Sequence, residues 1–169
     1  TVIELRRQHQ PHLPALPQSS DWASAAEVQM FAFLAALCAG LFAGAAGYIS
    51  LVEHWARLQA GPSVALAQFR PGFPRARGIQ ASLAVIGGGS ALISWLAGGG
   101  ASWLVVALLL FGIVGFTLVS IRPVYNALLA PSLRAESPAA RELLVRWGRL
   151  HNVRSALGLL AFLMALRSL

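Results

Sequence analysis

Four apolar runs, separated by short polar stretches, organise the chain. Residues 28 to 52, VQMFAFLAALCAGLFAGAAGYISLV, carry no charge and would extend roughly 37 Å as a helix, enough for a hydrocarbon core of about 30 Å. A second run, residues 79 to 97, follows the turn-rich RPGFPRARG. Residues 98 to 100, GGG, form a minimal connection, so the second and third runs should be antiparallel neighbours. The third covers residues 101 to 121 and should stop where Arg122 precedes Pro123, because a residue before proline is pushed out of helical geometry. Ser137 and Pro138 then read as an N-cap and first-turn proline. The last helix they start opens polar and becomes apolar over residues 153 to 166. Residues 1 to 27 hold three prolines and no sustained period, which predicts an extended arm. The pattern predicts an all-α fold: a polytopic membrane protein with a four-transmembrane-helix bundle over residues 28 to 169 and an extended N-terminal arm.

Composition strengthens the membrane reading. The chain is 57% hydrophobic and 11% charged with a mean hydropathy of +0.65, whereas soluble domains carry roughly 25% charged residues. All 13 basic residues are arginine and the net charge is +7. These arginines flank apolar runs without an aromatic-interleaved groove, so membrane lipid headgroups are the expected counter-charge and nucleic acid is not an expected partner. The two long connections hold Arg57, Arg70, Arg75 and Arg77, and Arg122, Arg134, Arg141, Arg146, Arg149 and Arg154; the opposite side keeps Arg6, Arg7 and Arg167. By the positive-inside rule the long connections should face the cytoplasm or its organellar equivalent, with both termini across the membrane. A bacterial inner membrane and an organelle membrane are not distinguished by this pattern. An Arg-bearing arm is also what removal of an organelle-targeting segment leaves behind, though Glu4 and Asp21 fit that origin poorly. The single cysteine, Cys38, excludes an intrachain disulfide.

Ionisable residues at the ends of these runs are the candidate chemistry. Gly40, Gly44, Gly47, Ser50 and His54 recur at steps of four or three, a small-residue stripe that should face the bundle and carry His54 inward. Glu53 lies about 100° around the same helix and can pair with Arg57. In RWGRLHNVR, Trp147, His151 and Arg154 share one helix face. The expected topology sets His54 and His151 at similar depth, with Tyr125 and Asn126 on the same side. Two histidines on inward stripes exceed what anchoring requires. Arg57, Arg75, Arg77, Arg146 and Arg149, by contrast, read as interfacial anchors. Gly87 to Gly89 read as packing residues, since no strand precedes them and no lysine follows. A third reading, with His54 and His151 as axial haem ligands or joined by Glu53 at a metal, lacks any tight H-x-x-E or H-E-x-x-H spacing.

GYISLVEHWARL, RARGIQASLA, RPVYNALL and RWGRLHNVRSALGLLAFL occur in this order, and the chain resembles the anthrone-oxygenase-like family of small four-span membrane proteins over about residues 35 to 166. The strongest part is the W-x3-H-x2-R pattern of Trp147, His151 and Arg154. Val124 and Tyr125 separate Pro123 from Asn126 here, a wider spacing than the family's asparagine motif. The resemblance implies oxidation of an apolar polycyclic or quinol-like substrate by dioxygen without an added cofactor. His54 or His151 would be the base. Arg154, with Asn126 or the Trp147 N–H, would stabilise the oxyanion, and Glu53 and Tyr125 would complete the substrate-binding set. The alternative, from another class, is a non-catalytic accessory subunit of a respiratory, photosynthetic or translocation complex, with residues 1 to 27 lying against other subunits and the polar cluster holding lipid or a neighbouring chain.

Overall fold

The computed structural model describes residues 19–169, which form helices and no strands. The first helical rod comprises α1 (Ser19–Tyr48), a π-helical turn (Ile49–Glu53) and α2 (His54–Gln59). After Gly61, α3 (Pro62–Leu96) returns. The third rod comprises α4 (Ala101–Phe116), a second π turn (Thr117–Ile121) and α5 (Arg122–Leu129). The last helix is α6 (Pro138–Ser168). Around the bundle, α1 packs on α3, α3 on α4, α4 on α6 and α6 on α1. Among the described residues, three segments are long and apolar enough to cross a membrane: Ala25–Gln59, Pro62–Leu96 and Ala101–Leu129. They make this an integral membrane protein.

Three sequence expectations are corrected. Residues 19 to 27 are helical and belong to α1 rather than to an extended arm, while residues 1 to 18 of that arm lie outside the described residues. RPGFPRARG is not a turn but part of α3, which runs through Pro71 and Pro74. Both prolines lie on the exposed face, where helix carbonyls already tilt outward and lose least from a missing N–H. On the opposite face Phe69 and Phe73 stack on one another at 4.9 Å and pack against Trp147. That tertiary burial holds the helix together. Pro123, finally, does not end the third rod: the π turn before it widens the backbone, and α5 continues from Arg122 with helical geometry.

The π turns also reset which face points inward. In α1 the buried positions are Ala32, Ala35, Ala36, Cys38, Ala39, Phe42 and Ala46, and the glycine stripe is inward only in part: a Cβ added at Gly40 would stand 2.8 Å from the Phe162 ring of α6, whereas Gly44 is exposed and a Cβ added at Gly44 or Gly47 would touch nothing. Gly47 follows the buried Ala46 by one position and so sits about 100° from it on the helix surface. His54 is nevertheless buried. From Ala46 to His54 an unbroken α-helix would rotate about 80° off the inner face, whereas one extra residue in a π turn brings the two nearly into line. Ile113 and Ile121, equally spaced about the second π turn, are both buried in the same way.

Ser137 caps α6 as its position suggests, its Oγ accepting from the Ala140 N–H at 3.2 Å. Replacing Ser137 with alanine should lower stability by about 0.5–2 kcal/mol, measurable as a reduced unfolding temperature in detergent by circular dichroism. The α3–α4 turn rests on Gly98 (φ +93°) and Gly100 (φ +94°), a backbone region in which Cβ-bearing residues are strained.

Candidate functional site

The inner face of α6 is a continuous row: Ala140, Leu144, Trp147, His151, Arg154, Gly158, Ala161 and Ala165 are all buried. Alternating steps of four and three keep this row on one side, so Trp147, His151 and Arg154 do share a face. Two glycines let α1 and α2 come close to it. A Cβ on Gly158 would stand 2.6 Å from the Phe42 ring, and one on Gly148 would overlap the His54 ring at Nε2.

Each polar side chain then finds a defined place. The His151 Nδ1 lies 3.0 Å from the Ser50 hydroxyl and 3.3 Å from that of Ser155, and the two hydroxyls are 2.8 Å apart. Arg154 is 5% exposed; its guanidinium lies over the Phe42 ring at 5.3 Å, and its Nε has no partner. His54 packs on Trp147 with ring centroids 5.1 Å apart, as His151 does at 4.6 Å, and neither nitrogen of His54 makes a hydrogen bond. Glu53 accepts from the Arg57 Nη2 at 2.7 Å and from the Gln68 amide. Arg57 is not an interfacial anchor as expected. It is buried, with its guanidinium facing Phe69 and Trp147. The aromatic rings cover the apolar faces of the guanidinium while Glu53 neutralises it, which is how a cation is kept at this depth.

Two adjoining cavities meet at this cluster. The smaller, about 60 Å³, is lined by Glu53, Arg57, Phe73, Trp147, His151 and Arg154, together with Arg77 and Gln80. The larger, about 330 Å³, lies between α3 and α4 and is mostly apolar, with Phe42, Ala81, Ala84, Ile113, Val114 and Leu118 in its walls. Arg77, Gln80 and Arg154 line both. Tyr125 closes one edge of the larger cavity and accepts a hydrogen bond from the Arg77 Nη1 at 3.2 Å. Buried around the smaller cavity, the Gln80 Oε1, the Arg154 Nε and the Trp147 Nε1 have no hydrogen-bond partner, and each such group costs about 1–3 kcal/mol if left so.

The structure therefore brings together Glu53, Tyr125, Trp147, His151 and Arg154 as cavity walls. Asn126 is not among them: it is exposed, one helix position beyond the buried Tyr125. His54 is buried as expected but lies against Gly148 and Trp147, outside either cavity lining. Among the described residues no group of three His, Cys, Asp or Glu side chains comes together. Gln80, Ser155 and the phenylalanines are not singled out by the sequence pattern. A signal does exist for two of them, because Gln80 stands three residues after Arg77 on one face of α3 and Ser155 stands four after His151.

No curated protein and no solved structure matches the chain. A family model described as anthrone oxygenase matches residues 69–164. This stretch holds Arg77, Gln80, Tyr125, Trp147, His151 and Arg154 but begins after Glu53 and His54, a shorter range than the motif resemblance suggests. With more than half of its 169 residues inside that match, and with both cavities lined chiefly from it, the chain belongs to the anthrone oxygenase family.

Proposed function

We propose that this protein oxidises an anthrone, or a similarly flat apolar substrate with an acidic ring C–H, using dioxygen in the cavity between α3 and α4. One observation carries this reading: the apolar 330 Å³ cavity shares Arg77, Gln80 and Arg154 with the small polar cavity that His151 lines. Its volume is in the range of small-molecule sites, about 300–1,000 Å³. A flat body lodged there sets its polar edge against that junction.

His151 is the base. With Nδ1 engaged by serine hydroxyls, Nε2 is the nitrogen left to take the ring proton. The resulting anion places charge on the ring oxygen, where the unpartnered Arg154 Nε–H and Trp147 N–H are the available donors. An electron-rich anion of this kind reduces dioxygen directly, so the proposal includes no cofactor. The methylene carbon loses two hydrogens and gains one oxygen atom from dioxygen, and the second oxygen atom leaves as water. Arg77, Gln80 and Tyr125 position the substrate edge, while Glu53 holds Arg57 in place. The reading also makes the apolar half of α6, residues 153 to 166, a fourth span. Arginine-rich connections then lie on the cytoplasmic side or its organellar equivalent, where Arg141, Arg146 and Arg149 meet anionic lipid headgroups.

The test is the full chain in lipid nanodiscs, incubated with an anthrone under labelled dioxygen. Anthraquinone should form faster than in protein-free nanodiscs and carry one labelled oxygen; a rate equal to that background would overturn the reading, and co-migration with a large native assembly would then favour an accessory role. Ala81, in the wall of the larger cavity, provides a control on location. Replacing it with tryptophan should raise KM by about tenfold or more, equivalent to about 1.4 kcal/mol of lost binding. An unchanged KM would place the substrate elsewhere.

A further inference from the structure

Two serines from different helices converge on one nitrogen of His151, and their hydrogen bonds have a direction. The Ser155 hydroxyl lies 3.1 Å from the Ala46 carbonyl oxygen and 2.9 Å from the carbonyl of His151 itself. Carbonyl oxygens only accept, so a Ser155 hydrogen directed to either of them is paired. Its oxygen is then free to accept from Ser50, 2.8 Å away. If Ser50 donates there, its own oxygen is left to accept from His151 Nδ1 at 3.0 Å. In that order every hydrogen of the three groups has a protein acceptor. The reverse, with Ser155 donating to Ser50 and Ser50 to Nδ1, moves the ring hydrogen to Nε2, which makes no hydrogen bond among the described residues, and leaves the Ser155 oxygen without a donor. Burial makes this difference costly, because chains of aligned hydrogen bonds reinforce one another and broken ones are not replaced by water.

We infer that Ser50 and Ser155 are positioning residues that lock His151 in its Nδ1–H tautomer and so present an unprotonated Nε2 to the cavity. The inference rests on His151 being the base, but the tautomer itself is independent of activity. Ser50 reaches His151 from the π turn Ile49–Glu53, which supplies the extra local rotation. Neither serine reaches a cavity wall. Their effect on catalysis passes through His151.

The experiment is nitrogen NMR of histidine-labelled full-length protein in nanodiscs, with the His151 signals assigned by their loss in His151→Gln. The wild type should show the Nδ1–H tautomer. Ser50→Ala should convert at least a third of the population to the Nε2–H form, whereas Ser50→Thr, which keeps the hydroxyl, should retain the wild-type state. In the oxidation assay Ser50→Ala should lower kcat about tenfold with KM unchanged, and Ser50→Thr should restore most of it. A wild-type Nε2–H tautomer, or an Nδ1–H state unaltered by both Ser50→Ala and Ser155→Ala, would overturn the inference. A locked tautomer in a protein that does not oxidise anthrones would leave it standing while removing the proposed function.

Discussion

Replacing His151 with alanine is expected to slow anthrone oxidation by about 10²–10⁴-fold, the usual contribution of a positioned general base. No other group in the small cavity is an equal replacement. Arg57, Arg77 and Arg154 are cations with no lone pair to offer, and Glu53 is tied through Oε1 to Arg57 and Gln68 and, as a carboxylate, is ordinarily a weaker base than an imidazole. His54 is on the far side of the lining, packed on Gly148. The fold should survive, because Ser50 and Ser155 still pair with each other and Ser155 still reaches the Ala46 carbonyl. His151→Gln guards against a packing artefact, since it fills most of the ring's volume and retains an amide for Ser50 yet is no base. Both variants should be well folded by circular dichroism and comparably inactive. Near wild-type turnover in either would remove His151 from the base role, and His54 would not replace it without a rearrangement of Trp147.

The second large effect should come from one methyl group. Gly148→Ala sets a Cβ against the His54 ring, and that ring is backed by Trp147, itself packed on Phe69, Phe73 and His151. A side chain pinned in this way cannot swing aside, so α2 and α6 must separate. The expected loss is about 1–3 kcal/mol, typical of overpacking, read as a lower unfolding temperature in detergent. Removing the ring should relieve it. His54→Ala/Gly148→Ala should be more stable than the sum of the two single effects requires, a coupling between contacting sites. If Gly148→Ala were as stable as the wild type, or if the double variant showed simple additivity, the close approach of these helices would be wrong. Activity offers a further readout, since a displaced Trp147 would narrow the smaller cavity.

Sequence patterns fail here at identifiable points. Proline is read as a breaker because it lacks an N–H, yet Pro71 and Pro74 lie inside α3. Local chemistry does not reveal that Phe69 and Phe73, on the other face, will stack against Trp147 from a helix far along the chain. The glycine stripe of α1 is misread at Gly44 and Gly47 for a related reason. A helical period identifies residues that share a face but not which face the neighbours take, and there the alanines took it, while Gly40, Ser50 and His54 do meet α6. Arg57 and Asn126 exchange their expected roles likewise: Arg57 is buried among aromatic rings while Asn126 faces out.

What the sequence determined by itself is the membrane character, the helical class, the cap at Ser137 and the common face of Trp147, His151 and Arg154. Each follows from composition or from short-range geometry, in which neighbours three and four positions apart meet whatever the rest of the chain does. Only the tertiary structure decided that His151 is backed by Ser50 and Ser155, that Gln80 joins Arg154 at the junction of two cavities, and that His54 is packed behind them. Those relations cross between helices. They depend on the rotation of each rod about its own axis, which two π turns shift by about 100° each, and that rotation is set by how whole helices pack rather than by any segment alone.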